Sequence, residues 1–148
     1  MAENTFDSAL GQFIYDAEMD WYILNYNDGT RTFDIQVAQE DTDFDLFKRQ
    51  LPHIEQLIKW GYYENILIAM ENKMLALKNK EWLREGEKEM TLEEFRKNII
   101  FENIMFYDDG TSELYCDAND MFNEYYIEAV ADKNGQFVYA GFAGDYEE

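Results

Sequence analysis

Four aromatic and β-branched segments in the last third of the chain constrain the fold more than any other feature. They lie between Ile99 and Ala143 and are separated by Asp108-Asp109-Gly110, Asp117-Ala-Asn-Asp120 and Lys133-Asn134-Gly135. Aromatic and β-branched side chains fit a pleated surface, and Asn, Asp and Gly tolerate the positive φ that tight turns require. The pattern therefore predicts an antiparallel four-strand meander.

A second β-rich region lies near the N terminus. Residues 12–16 and 21–26 read as strands, and Asn27-Asp28-Gly29 predicts a hairpin turn of two or three residues. The return strand, residues 30–38, alternates apolar and polar side chains, which indicates one buried and one wet face. Its expected buried residues are Phe33, Ile35 and Val37.

The apolar period changes to three and four residues in the middle of the chain, which predicts α-helix. The first stripe consists of Phe44, Phe47, Leu51, Ile54, Leu57 and Ile58. Thr42 or Asp43 is the expected N-cap, and Gly61 is expected to end this segment. Pro52 interrupts the stripe, so we expect either a kink or a second helix after a break near residues 49–51.

Two further helical segments follow. Residues 62–83 have approximate helical spacing, with lysines towards the end that complement the helix dipole. Thr91 and Glu94 form a capping-box pattern that begins a short helix ending near Lys97. We therefore predict a single α+β domain spanning residues 1–148, with an antiparallel β-sheet, made of an N-terminal hairpin and a C-terminal four-strand meander, packed against two or three central helices.

The charge of the chain limits its partners. Asp and Glu number 32 against 12 Lys and Arg, which gives a net charge of −20. Such a protein repels phosphate backbones and anionic lipids, so we expect neither nucleic-acid nor membrane binding. A basic protein would be attracted, although high negative charge is also a route to solubility. The oligomeric state is left open.

The residues that usually carry catalysis are scarce. His53 and Cys116 are the only histidine and the only cysteine, and they lie far apart in sequence. A surface or capping position is sufficient for His53, and a small buried or edge position for Cys116. The glycines do not form a phosphate-binding loop. The sequence thus predicts no catalytic residue, no metal ligand and no cofactor.

The expected compartment follows from cysteine content and from the apolar pattern of the sequence. A single cysteine excludes an internal disulfide and fits a reducing compartment. The first twenty residues contain neither a basic segment nor a continuous apolar one, and no long uncharged apolar run exists. We therefore expect a cytoplasmic protein.

An acidic and aromatic cluster in the C-terminal meander supplies the candidate binding residues. An EF-hand pattern fails there, because the sixth position counted from Asp117 is Phe122, where glycine is needed. Turn residues in an acidic protein account for the acidic residues of the cluster more simply than a calcium site does, and tyrosines in an acidic frame are typical of a protein-binding face. The candidate binding residues are Asp108, Asp109, Glu113, Tyr115, Asp117, Asp120 and Tyr125.

Several short motifs carry a resemblance that covers most of the chain. They are Asn79-Lys-Glu-Trp82, Thr91 to Phe95, Asp109-Gly110, Asp120-Met-Phe122, Asn134-Gly135 and Ala140-Gly141. With the order hairpin, helices, capped short helix and meander, the chain resembles a family of uncharacterised bacterial domains. Where that family commonly has a Gly-His pair, this chain has Glu124 and Tyr125. The resemblance implies no established activity, and some similar small acidic domains act as toxin-immunity proteins.

Three hypotheses follow. The leading one is a non-enzymatic, immunity-like domain that binds a basic protein partner with an acidic, tyrosine-bearing face. The alternative is a small-molecule binder or carboxylate-dependent enzyme with a cleft between sheet and helices. The third is a structural or oligomeric protein, which would have a large apolar patch.

Overall fold

The computed structural model describes residues 5–38 and 44–146, which form one eight-stranded sheet and three helices. The N-terminal strands are β1 (Thr5–Ser8), β2 (Gly11–Asp16), β3 (Trp21–Asn27) and β4 (Thr32–Ala38). The helices are α1 (Phe44–Lys59), α2 (Tyr62–Glu81) and α3 (Leu92–Lys97). The C-terminal strands are β5 (Ile100–Phe106), β6 (Ser112–Asp117), β7 (Ile127–Ala131) and β8 (Phe137–Phe142).

The strands lie in the sheet in chain order, and all neighbours are antiparallel except β4 and β5. These two pair in parallel from Asp34 opposite Asn103 to Val37 opposite Phe106, and the helices lie in the connection between them. The α+β class and the C-terminal four-strand meander are confirmed. The strand predicted at residues 12–16 is present as β2, and the N-terminal part is larger than the predicted hairpin, because β1, which was not predicted, pairs with β2 and brings the total to four strands.

The predicted tight turn after Asn27 is wrong in length. Asn27 pairs with Thr32, which leaves a four-residue loop, residues 28–31. The Asp28 carboxylate accepts the backbone N–H groups of Thr30 at 2.8 Å and Arg31 at 2.7 Å. This side-chain capping stabilises a wider loop than the Asp-Gly pair alone predicts.

The core lies between the helices and one face of the sheet. Alternate strand residues point into it, as the period-two pattern predicts. Examples are Phe13, Tyr22, Phe33, Ile35, Val37, Ile104, Leu114 and Ala129, all buried. An aromatic contact joins the sheet to the first helix: Tyr22 on β3 stacks on Phe47 of α1, with ring centroids 3.8 Å apart.

The first helix is continuous through Pro52, so of the two expectations for this proline, a kink or a break near residues 49–51, the break is absent. Pro52 is exposed, whereas Leu51 and Ile54 beside it are buried. Packing of this apolar stripe keeps the helix intact despite the missing backbone bond at the proline. Gly61 ends the helix as predicted, with a left-handed φ of 67° and its N–H donating to Ile58. The expected N-caps, Thr42 and Asp43, lie outside the described residues.

The capping box of α3 is confirmed. The Glu94 N–H donates to the Thr91 hydroxyl at 3.2 Å, and the Thr91 N–H donates to the Glu94 carboxylate at 3.1 Å. Before it, the connection from α2 is fixed by the buried Lys78, whose ammonium donates to the Glu87 carboxylate at 2.8 Å. Among the described residues, no helix is both long and apolar enough to span a membrane.

Candidate functional site

The sheet face opposite the helices carries most of the acidic and aromatic groups that the sequence singles out. Leu114 and Cys116 of β6 are buried in the core, so the alternating Glu113, Tyr115 and Asp117 point to the other side. We call this side the open face. Its acidic and tyrosine side chains are Asp34, Glu102, Tyr107, Glu113, Tyr115, Asp117, Tyr126, Glu128 and Tyr139.

The middle of the open face is a hydrogen-bonded group of two carboxylates and two phenols. Tyr115 lies opposite Glu128 of the next strand, and its hydroxyl donates to Glu113. Tyr107 lies within hydrogen-bonding reach of both Glu113 and Tyr115. We call Tyr107, Glu113, Tyr115 and Glu128 the tyrosine–carboxylate cluster.

Burial and like charge change the titration of this cluster. Burial, followed by the charge of Glu113, raises the pKa of Glu128, although backbone N–H groups near the C-terminal end oppose the rise. Burial and the Glu113 carboxylate raise the pKa of Tyr107 to about 12. Burial and the hydrogen bond to Glu113 also raise the pKa of Tyr115. Both phenols therefore remain neutral donors near neutral pH.

A second acidic group lies beside this cluster. Burial first, and then the charges of Asp117 and Asp34, raise the pKa of Glu102. The charge of Glu102 first, and then that of Asp117, raise the pKa of the Tyr126 hydroxyl. The shifts indicate that several negative charges lie close together on the open face.

The open-face carboxylates have no cationic partner among the described residues. The five ion pairs there join Arg31 to Glu64, Lys78 to Glu87, Arg84 to Asp120, Arg96 to Glu71 and Lys97 to Glu93. All five lie on helices or loops. The open face is therefore a negative surface whose carboxylates form no ion pair within the described part of the chain, and the Lys73 ammonium, 4.7 Å from the Tyr139 ring centroid, contacts a ring of this face and not a carboxylate.

The structure separates the seven candidate residues into three places. Glu113, Tyr115 and Asp117 share the open face. Asp108 and Asp109 lie in the β5–β6 turn, where hydrogen bonds from Thr111 lower the pKa of Asp109. Asp120 and Tyr125 lie at the opposite end of β6, in the β6–β7 connection.

The contacts of the last two candidates are structural. The Asp120 carboxylate lies 3.5 Å from the Arg84 guanidinium. The Tyr125 ring packs against Trp82 and Phe142, with centroids 6.2 Å and 5.2 Å away. These contacts attach the β6–β7 connection to the end of α2 and do not join either residue to the open face.

Sequence reasoning omitted Glu128 and Glu102 from the candidate set. The signal for Glu128 is the alternation in β7, where Ile127, Ala129 and Ala131 are core residues and Glu128 must point away from them. Its hydrogen bonds could not be read from the strand, because the backbone N–H groups that reach its carboxylate belong to residues 144 and 146. Glu102 lies at a register shift in β5, which the alternation does not reveal.

A cleft lies at one end of the interface between helices and sheet, with a volume of about 590 Å³. Its charged lining consists of two ion pairs, Arg31 with Glu64 and Arg96 with Glu71. Its apolar lining consists of Leu67, Ile68, Met70, Ile99, Ile100 and Phe101. The cleft therefore combines apolar surface with a few charged groups, which is typical of small-molecule sites.

The sole histidine and the sole cysteine do not form a reactive pair. His53 is exposed on α1, and its Nε2 lies 2.7 Å from the Lys133 carbonyl oxygen. Cys116 is buried, and burial raises its thiol pKa to about 12, so the reactive thiolate is disfavoured. Over residues 5–38 and 44–146, no three His, Cys, Asp or Glu side chains are grouped so that they could hold a metal ion.

Comparison with known proteins identifies the family of the chain. A family model, DUF2262, described as an uncharacterized protein conserved in bacteria, matches residues 7–142. No curated protein and no solved structure matches the chain.

Proposed function

We propose that this chain, which belongs to the DUF2262 family of uncharacterised bacterial proteins, is a non-enzymatic domain whose open face binds a basic protein partner. The observation that carries this proposal is the uncompensated charge of the open face. The charges of Asp117 and Asp34 lie close enough to Glu102 to raise its pKa, in addition to burial, and none of the three carboxylates forms an ion pair within the described residues. A cationic surface would relieve this repulsion on binding.

The tyrosines support a protein partner over a simple counterion. Tyr107, Tyr115 and Tyr126 lie among the carboxylates, and the Tyr115 hydroxyl is oriented by its hydrogen bond to Glu113. Tyrosine contributes a large contact area and a polar hydroxyl with few rotatable bonds, and it is enriched at interfaces. The arrangement suits lysine and arginine side chains, which pair with carboxylates and pack on aromatic rings.

The proposal also covers the cellular compartment and the biological role of the protein. We place the protein in the cytoplasm, because its single cysteine fits a reducing compartment. We also propose an immunity-like role in which the basic partner is a toxin, an idea supported by analogy of fold class and charge. The neighbouring genes test this role: a gene for a basic toxin beside this one would support it, and its consistent absence would count against it.

The experiment compares two variants of equal net charge. The face variant is Asp34→Asn, Glu102→Gln and Asp117→Asn, and the control variant is Glu85→Gln, Glu89→Gln and Glu124→Gln. Each variant lowers the negative charge of the chain by the same amount, but the control residues are exposed and lie in loops. A fluorescent decalysine peptide is the probe, with binding measured by anisotropy at about 50 mM and about 500 mM NaCl.

We expect the face variant to bind the peptide about threefold more weakly than the control, or weaker still, at low salt. Binding by the unmodified protein should fall steeply at high salt. Equal weakening in the two variants would refute the assignment to the open face, since total charge alone would then explain binding. Salt-insensitive binding would refute electrostatic capture.

A second candidate function is small-molecule binding in the cleft. The observation that favours it is a volume of about 590 Å³ between sheet and helices, which lies within the usual range for ligand sites. Glu64 and Glu71 are each paired with an arginine there, whereas the acids with raised pKa values lie on the open face. The cleft thus supports binding more than carboxylate acid–base catalysis.

A further inference from the structure

We infer that the cleft binds a small organic carboxylate, with Arg31 and Arg96 holding its anionic group and the isoleucines of the rim contacting its apolar body. This inference rests on the second candidate function, small-molecule binding in the cleft. It is independent of the binding proposed for the open face, because the two sites share no residue.

The distribution of arginine supports an anionic ligand. The chain has four arginines and a net charge of −20, and two of the four line this cleft. Arginine is the residue best suited to bind carboxylates, because its planar guanidinium donates parallel hydrogen bonds. A pair of arginines beside apolar surface is a favourable place for a carboxylate even in a protein with a large net negative charge.

The ion pairs leave hydrogen-bond donors for a ligand. Arg96 contacts Glu71 through Nε, and Arg31 contacts Glu64 through one terminal nitrogen. A guanidinium has five N–H donors, so each arginine keeps donors for a second acceptor. The Glu71 side chain is only 9% exposed, whereas the Arg96 side chain is 51% exposed. The Arg96 guanidinium is therefore the member of this ion pair that solvent, and hence a ligand, can reach.

The apolar lining selects an organic anion over inorganic phosphate. Ile68 and Ile100 are large apolar side chains that are 45% and 52% exposed, and both line the cleft. Leu67 and Met70 are buried and close its inner side. A ligand with a hydrocarbon body would remove the exposed isoleucine surface from water, which stabilises binding.

The simplest competing explanation is that the two ion pairs only join α2 to the β3–β4 loop and to α3. This explanation accounts for the stability of the contacts but predicts no preference for anions. It also predicts that removing an arginine changes unfolding and leaves ligand binding unaffected. The two explanations therefore differ in a binding measurement on folded protein.

The probes are 3-phenylpropionate, its amide and 3-phenylpropylamine, which share a body and differ in charge. Each is titrated into ¹⁵N-labelled protein while the backbone amide signals are followed by NMR. We expect 3-phenylpropionate to shift the signals of cleft residues saturably, and to bind about tenfold more tightly than the amide or the amine. Shifts confined to the signals of Arg31, Leu67, Arg96 and Phe101 and their neighbours would locate the site.

Two variants of equal charge separate the site from general electrostatics. Arg31→Gln removes a cleft guanidinium whose ion pair is half exposed, and Arg49→Gln removes an exposed one on α1. We expect Arg31→Gln to weaken 3-phenylpropionate binding about tenfold and Arg49→Gln to leave it unchanged. If Arg31→Gln fails to fold, Arg96→Met combined with Glu71→Leu replaces the other pair by apolar groups and should weaken binding similarly.

The outcomes distinguish this inference from the function on which it rests. Equal or tighter binding of the amide or amine in the cleft would overturn the anion preference and leave the small-molecule site standing. No shift of cleft signals by any probe up to about 10 mM, the weak end of ligand affinity, would overturn both. Unchanged 3-phenylpropionate affinity in the cleft variants would also overturn the role of the arginines.

Discussion

Replacing Phe122 by alanine tests whether the β6–β7 connection is part of the core. Phe122 is fully buried and lies beside three rings from different elements. Its centroid is 5.6 Å from Trp82 at the end of α2, 5.3 Å from Phe142 of β8 and 6.5 Å from Phe95 of α3. One side chain thus connects the last turn of α2, the capped helix and the edge strand.

The expected loss follows from this packing. Removing a buried phenylalanine ring generally costs about 3–5 kcal/mol of unfolding free energy, because apolar burial is lost and a cavity remains. Three ring contacts within the favourable distance range place Phe122 in the upper part of this interval. For a domain of this size the midpoint of thermal unfolding should fall by about 6–20 °C.

Urea unfolding followed by far-ultraviolet circular dichroism measures the loss. Tyr125→Ala is the matched control, because Tyr125 contacts two of the same rings but is 55% exposed. We expect this control to cost about 1 kcal/mol or less. A cost below about 1.5 kcal/mol for Phe122→Ala, or equal costs for both variants, would refute the reasoning.

Three further predictions concern titration, backbone strain and reactivity. Burial and the Glu113 charge raise the pKa of Glu128 above its ordinary 4.5. The protonated Glu128 side chain therefore contributes its full stabilisation below about pH 4.5, and this contribution is lost as the pH rises through the pKa of Glu128 in the folded protein. The stability advantage of Glu128→Gln over the unmodified protein should therefore grow from about pH 4 to about pH 7 in urea unfolding, and a constant difference would contradict this. Gly135→Ala should destabilise the protein more than Gly86→Ala. Both glycines have a φ of 80°, but only at Gly135 would the new Cβ lie 2.9 Å from the Leu57 side chain. Equal midpoints of thermal unfolding for the two variants would count against this steric explanation. Cys116 should react with a thiol-specific disulfide reagent only after unfolding, since it is buried and its pKa is raised to about 12. A fast rise in the absorbance of the released thiol when the reagent is added to folded protein would contradict this prediction.

Local patterns were sufficient to predict most of the elements. The C-terminal meander follows from turn residues between β-rich segments, and α3 follows from the capping box of Thr91 and Glu94. Both depend on residues close together in the chain. The apolar stripe likewise predicted α1, although Pro52 suggested an interruption that packing of the stripe overrides.

Long-range features were missed for a physical reason. The four residues of β1 are stabilised by pairing with β2, and the parallel pairing of β4 with β5 joins residues that are distant in sequence. Neither pairing leaves a local signal. The tyrosine–carboxylate cluster was found in part, because Glu113 and Tyr115 stand on one strand, whereas Glu128 joins them only through strand order.

The parallel pair of β4 and β5 has a consequence for how the molecule assembles. Each flanking group of four strands is a series of neighbours in sequence, and such hairpins form quickly because the loops to be closed are short. The junction between the two groups requires the whole helical segment to be placed first, so its chain-closure entropy is larger. The junction at Ile35 and Ile104 should therefore be completed late in folding, when α1 and α2 supply the surface that aligns the two halves.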